Sequence, residues 1–390
     1  MNDRDHSKPK ACYRILNSGN QDHLISKDMS TKVLEAVEVP TSTKTMKALV
    51  YGGPGIKDWK DTPKPRLMEP TDAIVKVLKT TICGTDLHIL KGDVPAVKKG
   101  RILGHEGVGI VEEIGSAVNN FKKGDHVLIS CITSCGKCEY CKKQMYSHCE
   151  DGGWILGHLI DGTQAEYVRI PHADNSLYPI PADSNEEALV MLSDILPTGH
   201  EIGVLYGGVK PGDTIAIVGA GPIGMSVLLT SQFYSPSKII MIDKDESRLA
   251  VAKTFGATQT INPAKSDVLK IIGEQTKDGV DVAIEAVGIP ETFDICQNII
   301  RPGGRIANVG VHGKSVDLQL QKLWIQNITI TTGLVNTNTT SMLLKTVESK
   351  KLQPEKLVTH RFIFNQMMEA YDVFSNAAKE KTMKVIISCN

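Results

Sequence analysis

Residues 214–224 read "TIAIVGAGPIG". A β-branched apolar run ends at Gly219, and Gly221 and Gly224 complete a G-x-G-x-x-G spacing that opens the helical stretch "PIGMSVLLTSQFY" at 222–234. Strand, glycine loop and helix in this order form a cradle for a dinucleotide pyrophosphate. The first glycine permits a tight turn, the second lets a phosphate approach the backbone, and the third lets helix and strand pack closely. The helix that starts at Pro222 and Ile223 then faces the phosphates with the free N–H groups of its first turn, Pro222 having none of its own. The next apolar run, "KIIMID" at 238–243, ends in Asp243. A carboxylate there accepts the ribose hydroxyls of NAD and repels the 2′-phosphate of NADP, though it also suits a helix N-cap. Arg248 either touches the ribose or is a solvated helix residue, and Lys244 blurs the charge argument.

Outward from this loop, strand and helix patterns alternate: "ESRLAVAKTFG" is a helix, and "QTINP", "VDVAIEAVG", "RIANVGV" and "NITITTG" are strands. Such alternation predicts a parallel, doubly wound sheet. On the N-terminal side, "MKALVY", "DAIVKVLKT", "GVGIVEEIG" and "DHVLIS" are short apolar runs punctuated by Gly and Pro, as in a β-rich domain. The predicted organisation is a polar, mobile extension over 1–45 with a short helix near 31–38, a β-rich domain over 46–195, the dinucleotide domain over 196–335, and a final segment, 336–390, that ends in the strand "MKVIIS".

Lysine plus arginine equals aspartate plus glutamate, at 44 each, which gives no argument for nucleic acid or an acidic membrane as a partner. No apolar run reaches the ~18 residues of a membrane helix, and the start "MNDRDHSKPK" lacks the apolar core of a secretory signal. A cytoplasmic protein is expected.

The stretch "CGKCEYCKKQMYSHC" places Cys135, Cys138, Cys141 and Cys149 within a short loop. An odd total of nine cysteines is a poor disulfide framework. A redox pair needs two thiols, and an iron–sulfur cluster is the remaining alternative. Four thiolates with CxxC turns suit a closed, structural zinc site. A second constellation lies in "TICGTDLHILKG" (81–92) and "ILGHEGVG" (102–109), which carry Cys83, His88, His105 and Glu106. Singly, Cys83 reads as a buried thiol and His105 as a turn residue. Beside a dinucleotide fold they suggest a catalytic zinc with an open position.

"GHEGVGIVEEIG", the cysteine quartet and "VGAGPIG", in this order, resemble the zinc-dependent medium-chain alcohol dehydrogenases, and most closely the bacterial-type branch acting on small primary and secondary alcohols. The resemblance runs from about Met46 to the C-terminus. It implies an α/β protein with a GroES-like β-rich catalytic domain, to which the last segment returns, and a Rossmann doubly wound parallel sheet. It implies NAD and two zinc ions per chain, and a homodimer or homotetramer. Cys83 and His105 would be the first two catalytic ligands, with Glu106 the carboxylate that approaches the metal during ligand exchange. Where liver-type relatives carry a third, cysteine ligand, this chain offers Asp194, as the secondary-alcohol branch does. Thr85 matches the hydroxyl relay and His88 the next proton acceptor. Cys131 stands where liver-type relatives have a bulky phenylalanine, so a secondary alcohol should fit. Trp154, His158 and Leu159 are further candidates for the pocket wall. Polyol, threonine or aldehyde dehydrogenase activity, and a catalytically silent cofactor-binding relative, are the alternatives.

Overall fold

The computed structural model describes residues 44–389. The helix expected near 31–38, with almost all of the polar extension, lies outside the described residues. The strands are β1 (Thr45–Gly53), β2 (Ile56–Pro63), β3 (Ala73–Thr80), β4 (Gly107–Ile114), β5 (His126–Ile129), β6 (Tyr167–Ile170), β7 (Leu177–Pro179), β8 (Thr214–Val218), β9 (Lys238–Ile242), β10 (Gln259–Ile261), β11 (Val280–Glu285), β12 (Ile300–Asn308), β13 (Thr329–Thr332), β14 (Val358–Ile363) and β15 (Lys384–Ser388).

They form three sheets. β10-β9-β8-β11-β12-β13 is parallel throughout. Its order reverses between β8 and β11, which puts the topological switch point, where doubly wound sheets bind ligands, at the end of the "TIAIVG" strand. Its inner strands are buried on both faces, as their unbroken apolar runs require. β12 begins at Ile300, earlier than "RIANVGV" suggests, because a register shift against β11 absorbs Pro302, Gly303 and Gly304.

The second sheet runs β14-β15-β3-β4-β5-β7, with β6 on β3. Strand β15 pairs antiparallel with β3, so the last strand of the described chain returns to the sheet built from β3 to β7. The third sheet is the ribbon of β1 and β2. β2, "IKDWKDTP", carries no apolar run for a sequence reading to find; it is an exposed ribbon strand.

One apolar core joins the two larger sheets. It takes Val108 and Leu128 from one, Ile217 and Ile284 from the other, and Val190, Leu192 and Leu196 from the helical turns between them. Those turns widen into a π-helix over Gly199–Leu205. Among the described residues no single helix is long and apolar enough to cross a membrane.

Candidate active site

Cys83 caps the helix Gly84–Lys91, just after β3. Its backbone N–H donates to Asp86 Oδ2 at 3.0 Å, and Asp86 also accepts from Gln164 Nε2 at 3.0 Å. His105 stands between Gly104 and β4. Gly104 has φ +92°, and a Cβ there would lie 2.6 Å from Gln164 Cγ, so only glycine makes this turn. Asp194 comes from the turn before the helix Ile195–Thr198. Three distant segments thus meet: the sulfur of Cys83 lies 3.5 Å from Asp194 Oδ2, and His105 Nε2 lies 3.3 Å from the same oxygen. One ligand atom each from Cys83, His105, Glu106 and Asp194 falls within 4.8 Å of all the others.

These spacings suit a metal. Tetrahedral bonds of about 2.0–2.1 Å from nitrogen or oxygen and about 2.3 Å from sulfur place N and O about 3.3–3.4 Å apart, and S and O about 3.5 Å apart. The donor set is soft, borderline and hard together, which zinc accepts. Burial pushes the Cys83 thiol up, and the Asp194 charge adds to it. Burial would raise Asp194 too, but hydrogen bonds from His105 and Thr198 hold it at about 2. Such a packed acidic group calls for a cation. On the far side of His105, Asp86 Oδ1 lies 3.8 Å from Nδ1, beyond hydrogen-bond reach but near enough for its charge to act on the ring.

Glu106 faces Lys384, whose ammonium donates to both of its oxygens at 3.0 and 2.8 Å and to the carbonyl of Ile82 at 3.2 Å. Lys384 carries no sequence signal for this role; it sits in an apolar strand, 278 residues from its partner.

The ligand cluster opens onto a cleft of about 350 Å³. Thr85 and His88 line it, together with Gly221, Pro222, Ile223 and Arg248. Thr85 Oγ1 lies 3.7 Å from Cys83 Sγ, and His88 Nδ1 lies 2.9 Å from Asp93 Oδ2. Gly219 and Gly224 sit beneath the loop, where a Cβ on Gly224 would lie 1.8 Å from the Gly219 carbonyl. At Gly221 the nearest neighbour of a Cβ is Arg248 Nη1 at 3.7 Å, so the glycine leaves a cradle over the helix start. Asp243 lies behind this loop: its Oδ2 accepts from Ala220 N–H at 2.6 Å and its Oδ1 from Asp245 N–H at 2.8 Å. Each oxygen keeps a second lone pair for a ribose hydroxyl. The helix N-cap is Asp245, not Asp243.

The residues expected to wall the substrate pocket are placed differently. Cys131 is buried, with its sulfur 3.7 Å from Asp194 Oδ1, so it lies beside the ligand set and not on the open cleft. Trp154 packs on the small cluster of Cys131, Ile132 and Val335, and of these only Val335 lines the cleft. Successive amides of His158, Leu159 and Ile160 donate to the Ile155 carbonyl, and this tight turn stacks His158 on Trp154 and leaves Leu159 exposed. None of Trp154, His158 and Leu159 lines the cleft.

The quartet forms its own lobe. One sulfur from each of Cys135, Cys138, Cys141 and Cys149 lies within 4.8 Å of the rest, and Cys135 and Cys141 are 4.0 Å apart. A tetrahedron with zinc–sulfur bonds of about 2.3 Å has edges of about 3.8 Å. Backbone amides of Glu150 and Cys141 lower the Cys138 thiol to about 6, whereas burial raises Cys141 to about 12. None of the described cysteines forms a disulfide.

Comparison with known proteins agrees with this architecture. Residues 69–182 match the alcohol dehydrogenase GroES-like domain, and residues 222–349 match the zinc-binding dehydrogenase family. An alcohol dehydrogenase of Cupriavidus necator is 34% identical over 88% of this chain and 99% of its own length. The NADP-dependent isopropanol dehydrogenase of Thermoanaerobacter brockii is 30% identical, over 88% and 99%. The solved zinc dependent alcohol dehydrogenase 2 from Streptococcus pneumonia, in its apo form, superposes with a TM-score of 0.84 and 59% identity, covering 88% of this chain and 99% of that one. The chain belongs to the zinc-dependent medium-chain alcohol dehydrogenases and is an alcohol oxidoreductase.

Proposed function

We propose that this chain interconverts a small primary or secondary alcohol and its aldehyde or ketone by hydride transfer to NAD. Cys83, His105 and Asp194 would hold the catalytic zinc, and Cys135, Cys138, Cys141 and Cys149 a structural one. The observation that carries this reading is the meeting of a thiol, an imidazole and a carboxylate beside a cleft that the glycine loop also lines. Bound zinc would supply Lewis acidity at the substrate oxygen, and a bound nicotinamide would supply the hydride acceptor.

The chain's own groups position the reactants and move the proton. Thr85 is the first acceptor for the alcohol proton, next to Cys83 on the cleft wall. His88 lies one turn further along the same helix. With Nδ1 held by Asp93, its Nε2 is free to take a proton towards solvent. Glu106, restrained by Lys384, stands in reserve behind the ligands.

Ile82, Leu87, Ile195 and Phe374 give the cleft an apolar lining, which favours aliphatic substituents on the carbinol. For the cofactor, Asp243 at the end of β9 favours NAD.

The reading also includes a symmetric assembly. β13 is an edge strand of the parallel sheet, and near it in sequence Leu320, Trp324 and Ile325 are exposed, Trp324 at 71%. An uncovered edge with large apolar side chains suits pairing with a second copy.

A panel of ethanol, 1-propanol, 2-propanol, 2-butanol, 2,3-butanediol, sorbitol and threonine, assayed by the ultraviolet absorbance of reduced nicotinamide, tests the activity. Turnover of the simple alcohols above sorbitol and threonine is expected. Turnover of only sorbitol or threonine would replace the substrate class, and no turnover with any member would remove the reading.

A further inference from the structure

We infer that Thr198 is a positioning residue that fixes which carboxylate oxygen of Asp194 is presented to the metal. The inference rests on the ligand set proposed above.

Asp194 and Thr198 close two rings on each other. The backbone N–H of Thr198 donates to the Asp194 carbonyl at 2.9 Å, and its hydroxyl donates to Asp194 Oδ1 at 2.7 Å. A threonine hydroxyl within a helix ordinarily bonds the carbonyl four residues back. Here that carbonyl accepts the backbone N–H alone, and the hydroxyl is turned to the side chain. The same oxygen, Oδ1, faces Cys131 Sγ at 3.7 Å. The other oxygen, Oδ2, faces Cys83 Sγ at 3.5 Å and His105 Nε2 at 3.3 Å. The carboxylate is thereby divided. One oxygen is engaged by hydroxyl and thiol, and the other is aimed at the remaining ligands.

A carboxylate left free rotates about its last torsion and binds through either oxygen or through both. The Thr198 bond removes that freedom, and partners of this kind typically tune metal affinity 10–100-fold. Thr198 also lines the cleft, so a change there meets the open side of the site directly. No sequence motif marks it. Its role depends on an aspartate at position 194, since a cysteine ligand has no second oxygen to engage.

The test is chelator competition on the purified enzyme loaded with zinc, repeated with cobalt(II) so that the visible absorption reports the ligand field. Thr198→Val keeps the shape and removes the hydroxyl, whereas Thr198→Ser keeps the hydroxyl. The expected result is a 10–100-fold loss of affinity at the Cys83 site and an altered cobalt spectrum in Thr198→Val, with near wild-type behaviour in Thr198→Ser. The quartet site, read in the same titration, should be unchanged. Wild-type affinity and spectrum in Thr198→Val would overturn the inference. So would equal weakening of both metal sites, which would show a general loss of structure. Asp194→Ala separates the two levels of the argument. If it keeps the metal, the ligand set itself is wrong. If it loses the metal while Thr198→Val does not, only the role of Thr198 fails.

Discussion

Lys384 Nζ lies 2.8 Å from Glu106 Oε2, and both side chains are only 1% exposed. The pair ties the last strand of the chain to the segment that carries His105. The third contact of the ammonium, to the Ile82 carbonyl, ties it to the segment that carries Cys83. The return of β15 to the first sheet therefore delivers a cation under both ligand segments.

Removing that cation should be costly. Lys384→Met leaves Glu106 buried without its partner, and breaking a buried pair in this way costs about 3–5 kcal/mol. Adding Glu106→Gln should recover part of the loss, because no uncompensated charge then remains. Urea unfolding of the metal-loaded proteins measures both. A loss below about 1 kcal/mol in Lys384→Met would mean that Glu106 is neutral in the folded protein, and the pair would not be ionic.

His200 supplies a dependence on pH. It is buried, stacked on Tyr234 and edge-on to Phe233, and its Nδ1 has no hydrogen-bond partner. Burial lowers it from 6.5 to about 4. The unfolded chain takes up a proton below about 6.5, and the folded protein does so only below about 4. The neutral ring's contribution is therefore complete above the unfolded value and is lost as pH falls through this window. Between pH 7 and pH 5 the loss is about 2 kcal/mol. Unfolding at both pH values, compared with His200→Phe, isolates it. Equal pH dependence in the two proteins would show that His200 does not titrate in this way.

Much of the fold is legible because its signals are local. The glycine loop at 219–224, the strand ending in Asp243 and the quartet at 135–149 each lie within a single short segment. The catalytic cluster is different, since Asp194 lies 111 residues from Cys83 and gave no pattern of its own; family resemblance supplied it. Lys384 and Thr198 were missed for a related reason. A lysine in an apolar strand and a threonine one turn into a helix become informative only when the partner is known, and the sheet topology chooses that partner. Trp154, His158 and Leu159 do not line the cleft, because the turn around Ile155 stacks His158 on Trp154 and leaves Leu159 exposed.

Asp243 should make NAD the better cofactor. Like charges about 4 Å apart repel by about 4 kcal/mol at an effective dielectric near 20, and salt and relaxation reduce this to a preference of roughly 10²-fold. The ratio of kcat/KM for NAD to that for NADP measures it, and Asp243→Ser should narrow the ratio. Equal values in the wild type would mean that the carboxylate remains on its two backbone amides and never meets the ribose.

The edge strand β13 should lie in an interface. Sedimentation at micromolar concentration is expected to show a dimer or tetramer, and Trp324→Lys combined with Ile325→Lys should give a smaller species with its fold intact. A wild-type monomer would end the proposal, and an unchanged assembly in the double variant would move the interface elsewhere.

Two metal sites of different kinds are expected in one chain, an open one on Cys83, His105 and Asp194 and a closed one on four thiolates. Zinc per chain, counted side by side in the wild type and in Cys83→Ser without exposure to chelator, tests it most directly. Two zinc ions are expected in the wild type, and one in a folded, inactive Cys83→Ser. A wild type with one zinc or none, or a Cys83→Ser protein that keeps two, would contradict it.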